Sequence, residues 1–163
     1  MRLGYAGEFG DHRRLFARRL IVLEHALLDD QPFIGGDALI VAAPGMVARR
    51  GLILEPLAAL GVAPEAVTHV FLSHHHPDHT INIALFPNAE VVDFWARYRD
   101  DLWLDHEGDG YALSPNAHLW LTPGHTEEDA SLIVEAEDGV YALTHLWWKA
   151  DRTAVRVGER FGL

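Results

Sequence analysis

FLSHHHPDHTINIALF (residues 71–86) is the stretch whose reading decides the fold. Four histidines and one aspartate fall within residues 74–79, directly after an apolar run. Crowding histidines is costly: protonated rings repel, and each buried ring nitrogen needs a partner. The stretch is either a solvated turn that happens to be histidine-rich or a metal site, and spacing separates the two. His74 and His76 stand two apart, so in extended chain both imidazoles point the same way and can reach one ion. His75 alternates away from them. A turn through Pro77 can fold Asp78 and His79 back beside that position. Random clusters seldom fit a ligand register and also follow a buried strand, so the metal reading is preferred.

The flanking sequence reads outward from there. THVFLS (68–73) is a short buried strand that ends where the histidines begin. DALIVAAPG (37–45) is a buried strand stopped by Pro44-Gly45. RRGLILEPLAALG (49–61) is a helix with Leu52, Leu57 and Leu60 on one face, bent or shortened by Pro56 and stopped at Gly61. RRLIVLEHALL (18–28) is read as a strand, HTINIALFP as a short helix and AEVVDFW (89–95) as a strand. YALSPNAHLWLTPGH (111–125) holds one or two strands and a Pro-Gly turn. SLIVEAEDGVYALTH (131–145) reads as a hairpin turning at Glu137, Asp138 and Gly139. The polar segment 97–111 is read as an exposed connection, with a lid over the site as the alternative. Three strand ends thus deliver candidate groups: Ser73 into the cluster, Thr122 into Pro123-Gly124-His125, and Thr144 into His145.

The bulk numbers fit a globular domain spanning residues 1–163, with 49% hydrophobic and 23% charged residues. The formal net charge of -11 repels phosphate backbones, so nucleic acid is disfavoured as a partner. There is no cysteine, which excludes disulfides and thiolate ligands and leaves His, Asp and Glu to hold a metal. No signal-like segment opens the chain and no apolar run is long enough to span a bilayer, so a cytoplasmic protein without membrane contact is the expectation.

The pattern His74-x-His76-x-Asp78-His79, followed by TPGHT at 122–126, resembles the metallo-β-lactamase superfamily. LSHHHPDHT and THLWW look most like its small bacterial metallo-hydrolases related to the MBLAC-type proteins. The resemblance implies an αββα sandwich, α/β or α+β in class, with the metal site at one edge of two sheets. It assigns His74, His76 and His125 to one metal, and Asp78 and His79 to a second. It implies a metal-dependent hydrolase, in which a metal-bound hydroxide attacks an ester, lactone, thioester or phosphodiester-type small molecule. Zinc suits three neutral histidines with an open position, and iron or manganese are the other candidates.

Three departures from the family pattern bear on that expectation. Ala43 stands where a carboxylate is usual, removing a hydrogen-bond acceptor behind the ligands. His145 stands where a metal-bridging aspartate is usual; it is a candidate ligand, but imidazole does not bridge as carboxylate does. No histidine follows His145, and the C-terminal strand-helix unit of the family is open to absence. These point to one firmly held metal and a weak or empty second position, with Asp78 as the catalytic group that orients the nucleophile. The alternatives from other classes are a degenerate, non-catalytic metal-binding domain and a mononuclear iron oxidoreductase. Trp147 and Trp148 are candidate walls of the pocket, whereas His12, His25, His69, His106 and His118 are expected to be surface or structural.

Overall fold

The computed structural model describes the backbone of residues 2–5, and residues 38–136 and 139–144. Among the described residues, ten strands form two five-stranded sheets. In chain order they are β1 (Arg2–Tyr5), β2 (Ile40–Ala42), β3 (His69–Phe71), β4 (Glu90–Val92), β5 (Ala96–Arg99), β6 (Leu102–Asp105), β7 (Ala112–Ser114), β8 (Ala117–Leu121), β9 (Ala130–Ala136) and β10 (Gly139–Thr144). One sheet runs β1-β10-β9-β8-β7, the other β2-β3-β4-β5-β6. Strands β2, β3 and β4 are parallel, while β4, β5 and β6 form an antiparallel meander. The helices are α1 (Gly51–Ala59) and the one-turn α2 (Pro77–Thr80).

Strands β2 to β4 are apolar on both faces, as sheets covered on both sides require. Ile40, Ala42, Phe71 and Val92 pack against Leu113, Leu119, Leu132, Val134 and Leu143 of the other sheet, forming the inter-sheet core. Val41, Val70 and Leu72 face the other way and pack on Ile53 and Leu57 of α1, with Val67 and Phe86. Helix, sheet and sheet are therefore stacked as layers, and the α+β sandwich expected from the sequence is the fold observed. No helix among the described residues is long and apolar enough to cross a membrane.

Three readings of the sequence need correction. The buried face of α1 is Ile53 and Leu57, while Leu52 is 37% exposed. Four-residue spacing puts 53 and 57 on one face, whereas Leu52 lies a fifth residue away. Pro56 sits inside the helix without ending it; the helix stops at Gly61, whose φ of 71° suits glycine and whose neighbour Val62 donates back to the Leu57 carbonyl. The second correction concerns 97–111, read as an exposed connection: β5 and β6 pair through its first part as an edge hairpin. Alternating charge hid it, since an edge strand buries little; Asp100, at φ 53°, makes the turn. Residues 77–86 give a helical turn at each end rather than one helix. The strand read at 18–28, the residues Glu137 and Asp138, and everything after Thr144 lie outside the described residues.

Leu57 is fully buried, so Leu57→Ala should cost about 2–5 kcal/mol in chemical denaturation. Leu52→Ala should cost less than about 1 kcal/mol. Equal losses would contradict the packing of α1.

Candidate metal centre

Every group of interest lies at one end of the sandwich. The cluster follows the carboxyl end of β3, His125 follows the carboxyl end of β8, and Asp129 precedes β9. The two sheet edges are joined there by a backbone hydrogen bond of 2.8 Å from Ala130 N to the Ser73 carbonyl. Beside that bond stand His76 and His125, 49 positions apart in the chain. His76 Nδ1 lies 3.0 Å from His74 Nε2 and 3.0 Å from His125 Nε2.

Three imidazole nitrogens converging this way have a chemistry of their own. They cannot all be protonated, because like charges would face each other. As neutral rings they aim lone pairs at a common point. Tetrahedral ligands about 2.0–2.1 Å from a zinc ion stand roughly 3.3 Å apart, close to the spacing found. The donor set therefore fits a divalent metal. Burial holds the His125 imidazole below its ordinary pKa; His76 lowers it further, against the opposing charges of Asp129 and Asp78. The neutral, ligating form is thereby favoured.

Behind His74 and His79 the structure supplies acceptors. Ser73 Oγ is 3.1 Å from His74 Nδ1 and 3.4 Å from His79 Nδ1, so one hydroxyl can receive both ring N–H groups. Asp129 Oδ1 lies 3.9 Å from His74 Nδ1. The Asp129 carboxylate is itself fixed by Thr126, through the backbone N–H and the hydroxyl, each at 2.9 Å. The strand ends below are tied by a buried hydroxyl chain, Thr122 to Ser131 at 2.6 Å and Ser131 to Thr144 at 2.7 Å. Ala43 offers no side-chain acceptor, and its φ of 44° is a strained value for alanine. Ser73 and Asp129 occupy the supporting role that a carboxylate at 43 was expected to play.

The structure also gathers His74, Asp78 and His79 into a second group able to hold an ion. Asp78 Oδ2 lies 3.5 Å from His79 Nε2, and His79 is buried while the Asp78 side chain is 44% exposed. Asp78 sits inside the first turn of α2, and the residue in the N-cap position is His76. His75 points away, as the alternation predicts, and bonds Asp93 Oδ2 at 2.6 Å. His145, Trp147 and Trp148 lie outside the described residues, as do His12 and His25. His69 bonds Thr68, His106 bonds the Asp93 carbonyl, and His118 sits half-buried on β8. Sequence reasoning missed Ser73, Asp93 and Asp129. Each is a polar residue at the end of an apolar strand or just before one, the signal that could have found them.

A two-sheet sandwich whose one end gathers histidines and a carboxylate is an arrangement able to hold a divalent metal. The chain belongs to the metallo-beta-lactamase superfamily, whose sequence profile matches residues 33–147. It is 42% identical over 93 residues to "Metallo-beta-lactamase domain-containing protein 1" of Mus musculus, covering 53% of this chain and 35% of that one. The match thus spans about a third of that relative's length. Among solved structures, a Thermotoga maritima protein assigned to the metallo-beta-lactamases superposes with a TM-score of 0.59, 18% identity and 77% coverage of both chains. A quorum-quenching N-acyl homoserine lactone lactonase superposes at 0.55, with 17% identity, 76% of this chain and 68% of that one. At such identities the two likenesses are likenesses of fold.

The lowered pKa of His125 has a consequence for the metal-free protein. The unfolded chain takes up this proton near pH 6.5, whereas the folded chain takes it up only at lower pH. Stability should therefore fall as pH drops from about 6.5 toward the folded value. His125→Gln should flatten that part of the melting temperature against pH curve. An unchanged slope would reject the assignment of the proton to this ring.

Proposed function

We propose that this chain is a metal-dependent hydrolase in which His74, His76 and His125 hold one divalent metal, zinc by preference. The observation that carries the reading is the convergence of the three ring nitrogens beside an exposed carboxylate. An all-nitrogen triad supports zinc over the two-histidine, one-carboxylate set typical of iron(II) oxygen chemistry. A bound divalent ion supplies Lewis acidity and makes water acidic enough to ionise near neutral pH.

The remaining steps belong to the chain's own residues. Asp78 accepts a hydrogen bond from the attacking water, orients it and takes its proton as the oxygen adds to the acyl or phosphoryl centre. The same carboxyl group then returns the proton to the departing oxygen. His79 and Asp78 form a second position that is weak or empty, with His145 as a further candidate ligand there. His76 is exposed and His125 half-buried, so a small-molecule substrate meets the site from their side. Esters and lactones are the substrate class to test first, given the lactonase likeness in fold and the net charge of -11, which disfavours polyanions.

Elemental analysis of protein purified without added metal, with turnover of an aryl ester, an acyl lactone and an aryl phosphodiester, tests the proposal. His74→Ala, His76→Ala and His125→Ala should each lose the tightly bound equivalent and the thermal stabilisation it brings. Asp78→Asn should keep one equivalent and lose about 10²–10⁴-fold in turnover. Loss of a whole metal equivalent in Asp78→Asn would reject its assignment. Unchanged turnover in an active enzyme would reject the proton-transfer role.

A further inference from the structure

We propose that Asp93 is a positioning residue of the metal centre, acting through His75. The inference rests on the reading of His74, His76 and His125 as ligands, and goes beyond it. His75 lies between two ligands in the chain, so its peptide groups are shared with both. Whatever holds the His75 ring fixes the backbone from which His74 and His76 project.

The His75 ring is held firmly for a side chain 47% exposed. Its Nε2 donates to Asp93 Oδ2 at 2.6 Å, and the Trp95 ring meets it edge-on with centroids 5.0 Å apart. Asp93 is completely buried at the end of β4. Its backbone level with the motif is set by Leu72 N, which donates to the Val92 carbonyl at 2.9 Å. The Asp93 carbonyl in turn receives His106 Nε2 at 2.9 Å. Asp93 thus stands at a junction, its carboxylate meeting the motif loop and the β4–β5 turn and its carbonyl meeting the segment after β6.

Its two oxygens do different work. Oδ1 accepts the backbone N–H groups of Trp95 at 2.8 Å and Ala96 at 2.9 Å, a local turn that asparagine could make equally well. Oδ2 accepts His75 Nε2 and the Tyr98 hydroxyl, the latter at 2.8 Å. Burial, and then this bond to Asp93, push the Tyr98 hydroxyl above its ordinary pKa and keep it a donor. An amide NH₂ in place of Oδ2 would face the ring N–H of His75. Burying a full carboxylate is costly, and the turn alone does not require one. The bond to the ligand loop accounts for it.

The test measures metal affinity by chelator competition and the melting temperature of the metal-free protein in the same variants. Asp93→Asn should weaken zinc binding about 10–100-fold with one equivalent still bound at saturation, the range typical of groups that orient ligands. His75→Ala, a change at a half-exposed ring, should weaken it to a similar extent. The double variant should be no worse than the weaker-binding single one, because both break the same link. His75→Gln, which keeps an N–H donor, should recover part of the loss. Tyr98→Phe removes the other donor to Oδ2 and should lower the metal-free melting temperature while leaving zinc affinity unchanged. Wild-type affinity in both Asp93→Asn and His75→Ala would overturn the proposal, as would fully additive losses in the double variant. Absence of zinc from the wild-type protein would instead overturn the ligand reading, and this proposal with it.

Discussion

The hydrogen bond from Ala130 N to the Ser73 carbonyl is the constraint on which the site depends. His74 and His76 belong to one sheet and His125 to the other, so nothing local in the chain keeps them together. The inter-sheet core fixes the separation of the sheets but only weakly resists sliding, because apolar contact is non-directional. A directional bond at the strand ends sets the register. It is placed beside the residue whose hydroxyl supports His74 and His79, so one serine aligns the sheets through its backbone and the ligands through its side chain.

The rest of the polar machinery follows from that placement. Strand ends are where backbone groups leave the ladder and where side chains can point along the sandwich rather than across it. Asp93, Asp129, Thr122, Ser131 and Thr144 are all buried at this end, and each has a hydrogen-bond partner. A half-satisfied network would cost more than an apolar core, so the supports are arranged in closed sets. Asn82 completes the frame: buried, it donates to the carbonyls of Pro44 and Val47 and ties the loop after β2 to the motif.

The motif and the delivery of groups by strand ends were legible because they depend on local pattern, whereas the two-sheet architecture came from the family resemblance that the motif carries. Apolar runs of three to six residues gave β2, β3, β4 and the β9–β10 pair. The β5–β6 hairpin was not legible, since β6 is an edge strand that buries little and β5, which carries Arg97 and Arg99, has only Ala96 fully buried. The Leu52 assignment failed because α1 is leucine-rich on several sides and the choice of face is made by the sheet it meets. The supporting acids failed for a different reason. Their polar position beside apolar strands was visible, but not the partner each would meet: the His75 bond to Asp93 spans 18 positions, and Asp129 approaches His74 from the other sheet.

The unusual residue at 43 shows how such a site tolerates change. A left-handed φ is mild for aspartate or asparagine and strained for alanine, yet Ala43 holds it while buried. Its backbone N–H donates to the Phe71 carbonyl at 2.8 Å, so the loop is kept in shape by the parallel pairing of β2 and β3. The conformation therefore survives without a side chain that favours it. With no acceptor at 43, the groups that approach the His74 ring are Ser73 and Asp129. Support for His74 therefore comes from two directions, Ser73 Oγ at 3.1 Å from the motif loop and Asp129 Oδ1 at 3.9 Å from the opposite sheet.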